Sequence, residues 1–188
     1  MTVSKWLDIW YKTYHKSWGD KTQKDIAEAI KNHLRPLLGK YTLDDLKYST
    51  YKREFIDELL GDGYSPGTVR LYHKYFMMAI NAAIRDELLK ENKFKRIRIE
   101  RNESQVNDNF LSPNELKLFL EYAKKYGNIT EYTLVLLLAY SGIRKGEAMG
   151  LKWSDINFNK NEITINKTRD SLGVRSPKTQ NSYRTINI

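Results

Sequence analysis

Apolar residues in the first ~90 positions recur every three or four residues and are broken by short polar turns, the pattern of packed helices. Trp6, Leu7, Trp10, Tyr11 and Tyr14 make an aromatic stripe on an opening helix, for which core packing is favoured over a stacking surface for bases. Thr22 followed by Asp25 predicts a capped start for a second helix that runs to about Asn32 and is ended by Pro36 and Gly39. A third helix is expected from about Ser49 to Leu60, stopped by Gly61-Asp62-Gly63. The fourth has the clearest start, with Ser65 as cap and Pro66 in the first turn. Val69, Tyr72, Phe76, Ile80 and Ile84 then mark one buried face, while Arg70 and Lys74 lie four apart on another. The expectation is a small four-helix bundle with a rigid basic surface.

After Leu89 the pattern changes. Residues 90–100 alternate in charge with little helical period, and 103–109 are polar, so 90–109 reads as a basic, polar linker. Its Lys93, Lys95, Arg96 and Arg98 either follow a phosphate backbone or belong to a solvated tether. Ser112, Pro113 and Glu115 then form a capping box that opens a helix. A further helix, about Thr130 to Tyr140, is apolar nearly all round and is expected at the centre of its domain. Ser141-Gly142-Ile143-Arg144 follows, then a short helix to Met149. Glu162–Ile165 and Arg184–Ile188 alternate as strands of a small antiparallel sheet, separated by a polar loop containing Gly173. The last strand is expected to be cut short, as in a truncated chain with more protein downstream.

Composition adds a partner class. The 188 residues carry Lys+Arg 32 against Asp+Glu 23, a net charge of +9. The excess is spread over the chain, with 19 basic and 14 acidic residues in positions 1–100 and 13 against 9 in the rest. Such a balance favours polyanions, nucleic acid first. Cysteine is absent, which excludes disulfides, thiolate metal sites and a cysteine nucleophile. No signal-peptide pattern opens the chain, and the most apolar run, Thr133 to Ala139, is too short to span a bilayer. A soluble, cytoplasmic protein is expected, with no membrane partner, no metal and no cofactor.

One residue carries chemistry. Arg144 follows a glycine turn, where a guanidinium held in place can grip two oxygens of a phosphate and stabilise its transition state. The surrounding string, from Thr133 through Gly142, Arg144, Glu147, Leu151, Trp153 and Asp155, resembles the first catalytic box of the tyrosine recombinases, the phage-integrase family. Ser65-Pro66-Gly67-Thr68 is similar to the entry into the last helix of that family's core-site DNA-binding domain, and Phe110 to Leu116 to the opening of its catalytic domain. Ser176-Pro177-Lys178-Thr179, with Arg184-Thr185-Ile186 after it, resembles the hairpin that bears the family's catalytic lysine.

The resemblance implies a mainly α fold: a four-helix, SAM-like core-binding domain (1–89), the linker (90–109), and a truncated α+β catalytic domain with a small antiparallel sheet (110–188). It implies catalytic roles for Arg144 and Lys178, the lysine as general acid for the leaving 5′ oxygen, with Lys167 as its nearest competitor. Glu147 would support the arginine through a hydrogen bond, and Trp153 and Asp155 would serve packing and capping. Thr22, Lys24, Ser65, Thr68, Arg70, Lys74, Lys93, Lys95 and Arg96 are the expected DNA contacts. The implied partners are duplex core recombination sites, a homotetramer in the synapse, and accessory DNA-bending or excision factors. The family's later His-x-x-Arg box is missing, because His15, His33 and His73 all lie early and none has arginine three residues on. Tyr183, inside the hairpin, does not fit the nucleophile, which is expected beyond this sequence. A non-catalytic regulator occupying recombination sites is the alternative.

Overall fold

The computed structural model describes residues 1–100, 110–177 and 179–187. It falls into two compact units, Met1–Val106 and Asn107–Ile188. The fold is mainly helical, with small antiparallel sheets that, among the described residues, lie in the second unit. Among the described residues, no helix is long and apolar enough to cross a membrane.

The first unit opens with α1 (Val3–Tyr14), where the Thr2 hydroxyl accepts the Lys5 N–H at 3.3 Å. Its three-to-four spacing puts Val3, Trp6, Leu7 and Trp10 in the core, leaving Tyr11 and Tyr14 at the edge. The buried Trp6 indole N–H donates to the Ala79 carbonyl at 2.9 Å, so burial of this polar group leaves nothing unsatisfied. Next comes α2 (Asp20–Ala29), whose N-cap is Gly19. Thr22 therefore stands inside the helix and does not cap it, a correction to the sequence reading. The helix also runs past Pro36 and ends where Gly39 caps it, as the sequence reading had for the glycine. A π turn (Ile30–Leu34), in which the Arg35 N–H reaches back to the Ile30 carbonyl, carries it into α3 (Arg35–Leu38). Pro36 lacks an N–H and its ring crowds the carbonyl four residues back; the wider turn accommodates both.

The next helical stretch comprises α4 (Tyr48–Tyr51), a π turn (Lys52–Asp57) and α5 (Glu58–Gly61). It is followed by the long α6 (Pro66–Arg85), capped by Ser65, whose hydroxyl accepts the Thr68 N–H at 3.2 Å. α6 buries Val69, Tyr75, Phe76, Ala79, Ile80, Ala82 and Ala83, a wider face than the single stripe expected. Tyr51 stacks on Phe76 at 4.9 Å and meets Phe94 at 4.8 Å. Phe94 lies within the stretch read as linker, yet it is 2% exposed. Arg70 donates to the Ile99 carbonyl at 3.1 Å and Lys93 to that of Asp44 at 3.1 Å. Residues 90–100 are thus laid onto the helices by an aromatic anchor that charge alternation conceals.

In the second unit α7 (Pro113–Tyr126) starts with the expected box, Ser112 and Glu115 each accepting the other's backbone N–H at 3.3 and 2.8 Å. Asn128 and Glu131 repeat that arrangement at the start of α8 (Ile129–Ser141). The expectation that α8 is central is corrected: none of its residues is fully buried. Its Leu134, Leu137 and Leu138 pack on a core of Ile143, Ala148, Ile163 and Ile165, and α7 and α9 (Lys145–Gly150) cover only part of its girth among the described residues.

Three strands form one sheet in the order β1 (Ile156–Asn157), β2 (Glu162–Ile165), β5 (Arg184–Asn187), all antiparallel. Ile163 pairs with Ile186 and Ile165 with Arg184. The polar loop expected around Gly173 is instead a hairpin of β3 (Thr168–Asp170) and β4 (Gly173–Arg175). Its strands have no apolar alternation to announce them, and Gly173 at φ 107° turns the chain.

Candidate active site

Arg144 stands where α8 ends. Gly142 adopts φ 64°, a left-handed turn that any side chain would strain, and its N–H closes on the Leu138 carbonyl. The chain then enters α9 with Arg144 as its N-cap. α9 lies hard against β3: a Cβ added at Gly146 would sit 2.5 Å from the Thr168 hydroxyl. That close approach fixes the start of α9, and with it Arg144, relative to the strands.

Glu147, one turn along α9, is buried at 3% exposed. Its carboxylate accepts four hydrogen bonds. The Arg144 backbone N–H donates to Oε2 at 3.0 Å, and the Arg144 guanidinium Nη1 to Oε1 at 3.0 Å. Arg184, at the start of β5, adds a fork, Nη1 to Oε1 at 3.2 Å and Nη2 to Oε2 at 2.8 Å. A carboxylate has about four lone-pair sites, and here all are used. The Arg184 hydrogen bonds are the largest cause holding the Glu147 pKa at about 2; burial opposes them, and the backbone and side chain of Arg144 add to them. Glu147 is therefore ionised throughout the neutral range. The Arg144 side chain is 74% exposed, against 31% for Arg184.

Arg144, Glu147, Thr168, Asp170, Arg175, Ser176, Pro177, Thr179 and Ser182 line a cavity of about 430 Å³. Arg175 is tied to Asp170 across the β3–β4 hairpin. Lys178 lies outside the described residues. Its competitor Lys167 is committed elsewhere: its ammonium donates to both carboxylate oxygens of Asp155 at 2.6 Å. Burial pushes the Asp155 pKa up, but Lys167 and the Lys152 backbone N–H bring it below the ordinary value. Asp155 also caps, accepting that N–H at 2.7 Å. Trp153, expected to pack, is instead 81% exposed, beside the exposed Phe158.

The remaining expected site residues are in the first unit. Thr22 and Lys24 stand on α2; Ser65, Thr68, Arg70 and Lys74 on α6 and its cap. The Ser65 and Thr68 hydroxyls bond each other at 3.0 Å, and Arg70 holds Ile99. Lys93, Lys95 and Arg96 come together with Tyr48, Asn81 and Asn92 around an open groove of about 1060 Å³. Arg184 had no assigned role in the sequence reading. It is forty residues from Arg144, and nothing short of the strand pairing brings the two together.

The same architecture appears in known proteins. The phage integrase family model matches residues 109–186, and that of the phage integrase N-terminal SAM-like domain matches residues 2–60. An integrase of Saccharopolyspora erythraea is 27% identical over 171 residues, covering 88% of this chain and 38% of its own length. A XerC-like tyrosine recombinase of Caldanaerobacter subterraneus subsp. tengcongensis is 28% identical over 181 residues, covering 83% and 45%. The chain thus spans about two fifths of the length of these relatives. The Tn1549 transposon integrase, solved in complex with a circular intermediate DNA, shares the fold at a TM-score of 0.83 and 21% identity, over 100% of this chain and 61% of that one. Two family models, one matching within each unit, and a turn-borne arginine backed by a buried acid, lead to one conclusion: the chain belongs to the phage integrase family, the tyrosine recombinases.

Proposed function

We propose that this chain is the DNA-binding and first catalytic portion of a site-specific recombinase that cuts and rejoins duplex DNA through a 3′-phosphotyrosine. The observation that carries the reading is Arg144: an exposed guanidinium held at its root by a buried, fully bonded carboxylate. Such a group offers its remaining donors to a phosphate without having to be ordered first. Residues 1–100 form the core-site binding domain, with 90–100 held on its helices through Phe94, and 110–188 form the front of the catalytic domain. In the reaction a tyrosine beyond this sequence attacks the scissile phosphorus, the 5′ oxygen leaves, and Lys178 supplies its proton. The cavity walls supplied by Ser176, Pro177 and Thr179 beside Arg144 support that role, as does the engagement of Lys167 with Asp155. A different 5′ hydroxyl then reverses the step, so no energy cofactor enters.

Duplex DNA is the partner this reading assigns, in keeping with the circular intermediate DNA in the solved complex of the Tn1549 transposon integrase. A homotetramer in the synapse and accessory bending or excision factors follow from the family's way of working. Thr22, Lys24, Ser65, Thr68, Arg70, Lys74, Lys93, Lys95 and Arg96 supply the backbone contacts. The groove gathered by the last three is the best supported of these. The test is duplex binding followed by fluorescence anisotropy as salt is raised. Affinity falls at least ~10-fold between ~50 and ~200 mM salt, from release of counterions. Absence of binding at low salt overturns the reading. In the full-length protein Arg144→Ala abolishes cleavage while core-site binding persists; normal cleavage overturns the role of Arg144.

A further inference from the structure

We propose that Arg184 is a positioning residue: it serves as the counter-ion of Glu147, so that the positive charge of Arg144 stays available to phosphate. The inference rests on the reading of Arg144 as a phosphate clamp. Two guanidiniums share one buried carboxylate, leaving one positive charge in excess. The geometry decides where that excess sits. Arg184 engages both carboxylate oxygens through both terminal nitrogens, at 3.2 and 2.8 Å, the bidentate arrangement in which its charge is most fully compensated. Arg144 touches the same carboxylate through one nitrogen of its guanidinium, at 3.0 Å, and keeps the rest in solvent. The uncompensated charge is therefore at Arg144, facing the cavity.

Removal of Arg184 changes that balance. Glu147 would remain buried and ionised, with Arg144 its nearest cation among the described residues, and two of its acceptor positions would be vacated. The Arg144 fork would then close on Glu147, which both neutralises it and commits its donors to the carboxylate. Register makes Arg184 suited to this task. It pairs with Ile165 on β2, whose side chain is in the core of the unit, so its guanidinium is delivered from the sheet to the N-terminal turn of α9. Strand and helix are thus joined through the carboxylate that also holds the clamp.

The experiment uses the chain as it stands. The Arg144 side-chain N–H resonance, assigned by its loss in Arg144→Ala, is followed by NMR while inorganic phosphate is added, for the wild type and three variants. The wild-type resonance shifts with phosphate. In Arg184→Gln the apparent affinity drops about tenfold, the scale of losing a charge-assisted contact. The double variant Glu147→Gln/Arg184→Gln, which removes anion and counter-ion together, regains most of the response. Arg184→Lys keeps the charge without the fork and keeps most of the response too, which separates a counter-ion from a merely structural contact. A thermal melt accompanies each variant. Should Arg184→Gln unfold, Arg184→Lys and the double variant still decide. The inference is overturned if Arg184→Gln responds as the wild type does, or if the folded double variant is no better than a folded Arg184→Gln; the latter identifies Arg184 as a direct phosphate contact. A wild-type resonance indifferent to phosphate overturns the clamp itself, and the inference with it.

Discussion

Glu147 is the residue on which the second unit turns. Its pKa of about 2 lies below the ordinary carboxylate value of 4.5, so the folded state prefers the ionised form more than the unfolded chain does. The stability it contributes is fully present above about pH 4.5 and is lost as pH falls toward 2. Denaturation of the second unit monitored by amide exchange should show that fall, and Glu147→Gln should remove this part of it. The same substitution leaves two guanidiniums around a neutral amide and should cost about 2–3 kcal/mol at neutral pH, read by urea denaturation. Much of this is invisible in the sequence. Spacing identifies Glu147 as a neighbour of Arg144 one turn away. Its burial and its second arginine follow only from how α9 meets β5.

At the scale of elements, capping was the best guide. Ser65 and Ser112 start helices where their short polar side chains stand, because a cap is a local interaction completed within three residues. Ser65→Ala should destabilise the first unit by about 1 kcal/mol, measured as a shift in the urea midpoint. Helix interiors were less legible. Thr22 resembles a cap but sits inside α2, and Pro36 resembles a terminator but follows a π turn that lets the helix pass. The β3–β4 hairpin escaped notice because Thr168, Arg169 and Asp170 show no alternation to read. Its packing makes a sharp prediction. Gly146→Ala places a methyl 2.5 Å from the Thr168 hydroxyl and should cost about 1–3 kcal/mol by overpacking, measured by thermal denaturation.

At the scale of the whole molecule the two units differ in their acid sensitivity. All three histidines are in the first unit. Burial holds His33 and His73 below their ordinary pKa of 6.5, and His73 also bonds the buried Tyr51 hydroxyl at 2.9 Å. Both therefore protonate more readily in the unfolded chain, so the first unit loses stability as pH falls below about 6.5. Thermal melts followed by tryptophan emission should show this, since Trp6 and Trp10 are buried there while Trp153 is exposed in the other unit. A first-unit midpoint unchanged between pH 7 and pH 5 would contradict the assignment. The second unit, with no histidine, should hold steady over that interval.

The sequence by itself determined the helical character of the first unit, the helix starts at Ser65 and Ser112, the family and Arg144 as the candidate clamp. Each of these is written in short-range terms: a period of 3.6 residues, a cap three residues from its partner, a motif within one turn and helix. Only the tertiary structure decided that Phe94 anchors residues beyond the bundle, that no residue of α8 is fully buried among the described residues, and that Trp153 faces solvent. It alone showed Lys167 committed to Asp155 and Arg184 to Glu147. Those facts depend on contacts between residues far apart in the chain, where burial and charge pairing are settled by which elements meet. No local pattern encodes that meeting.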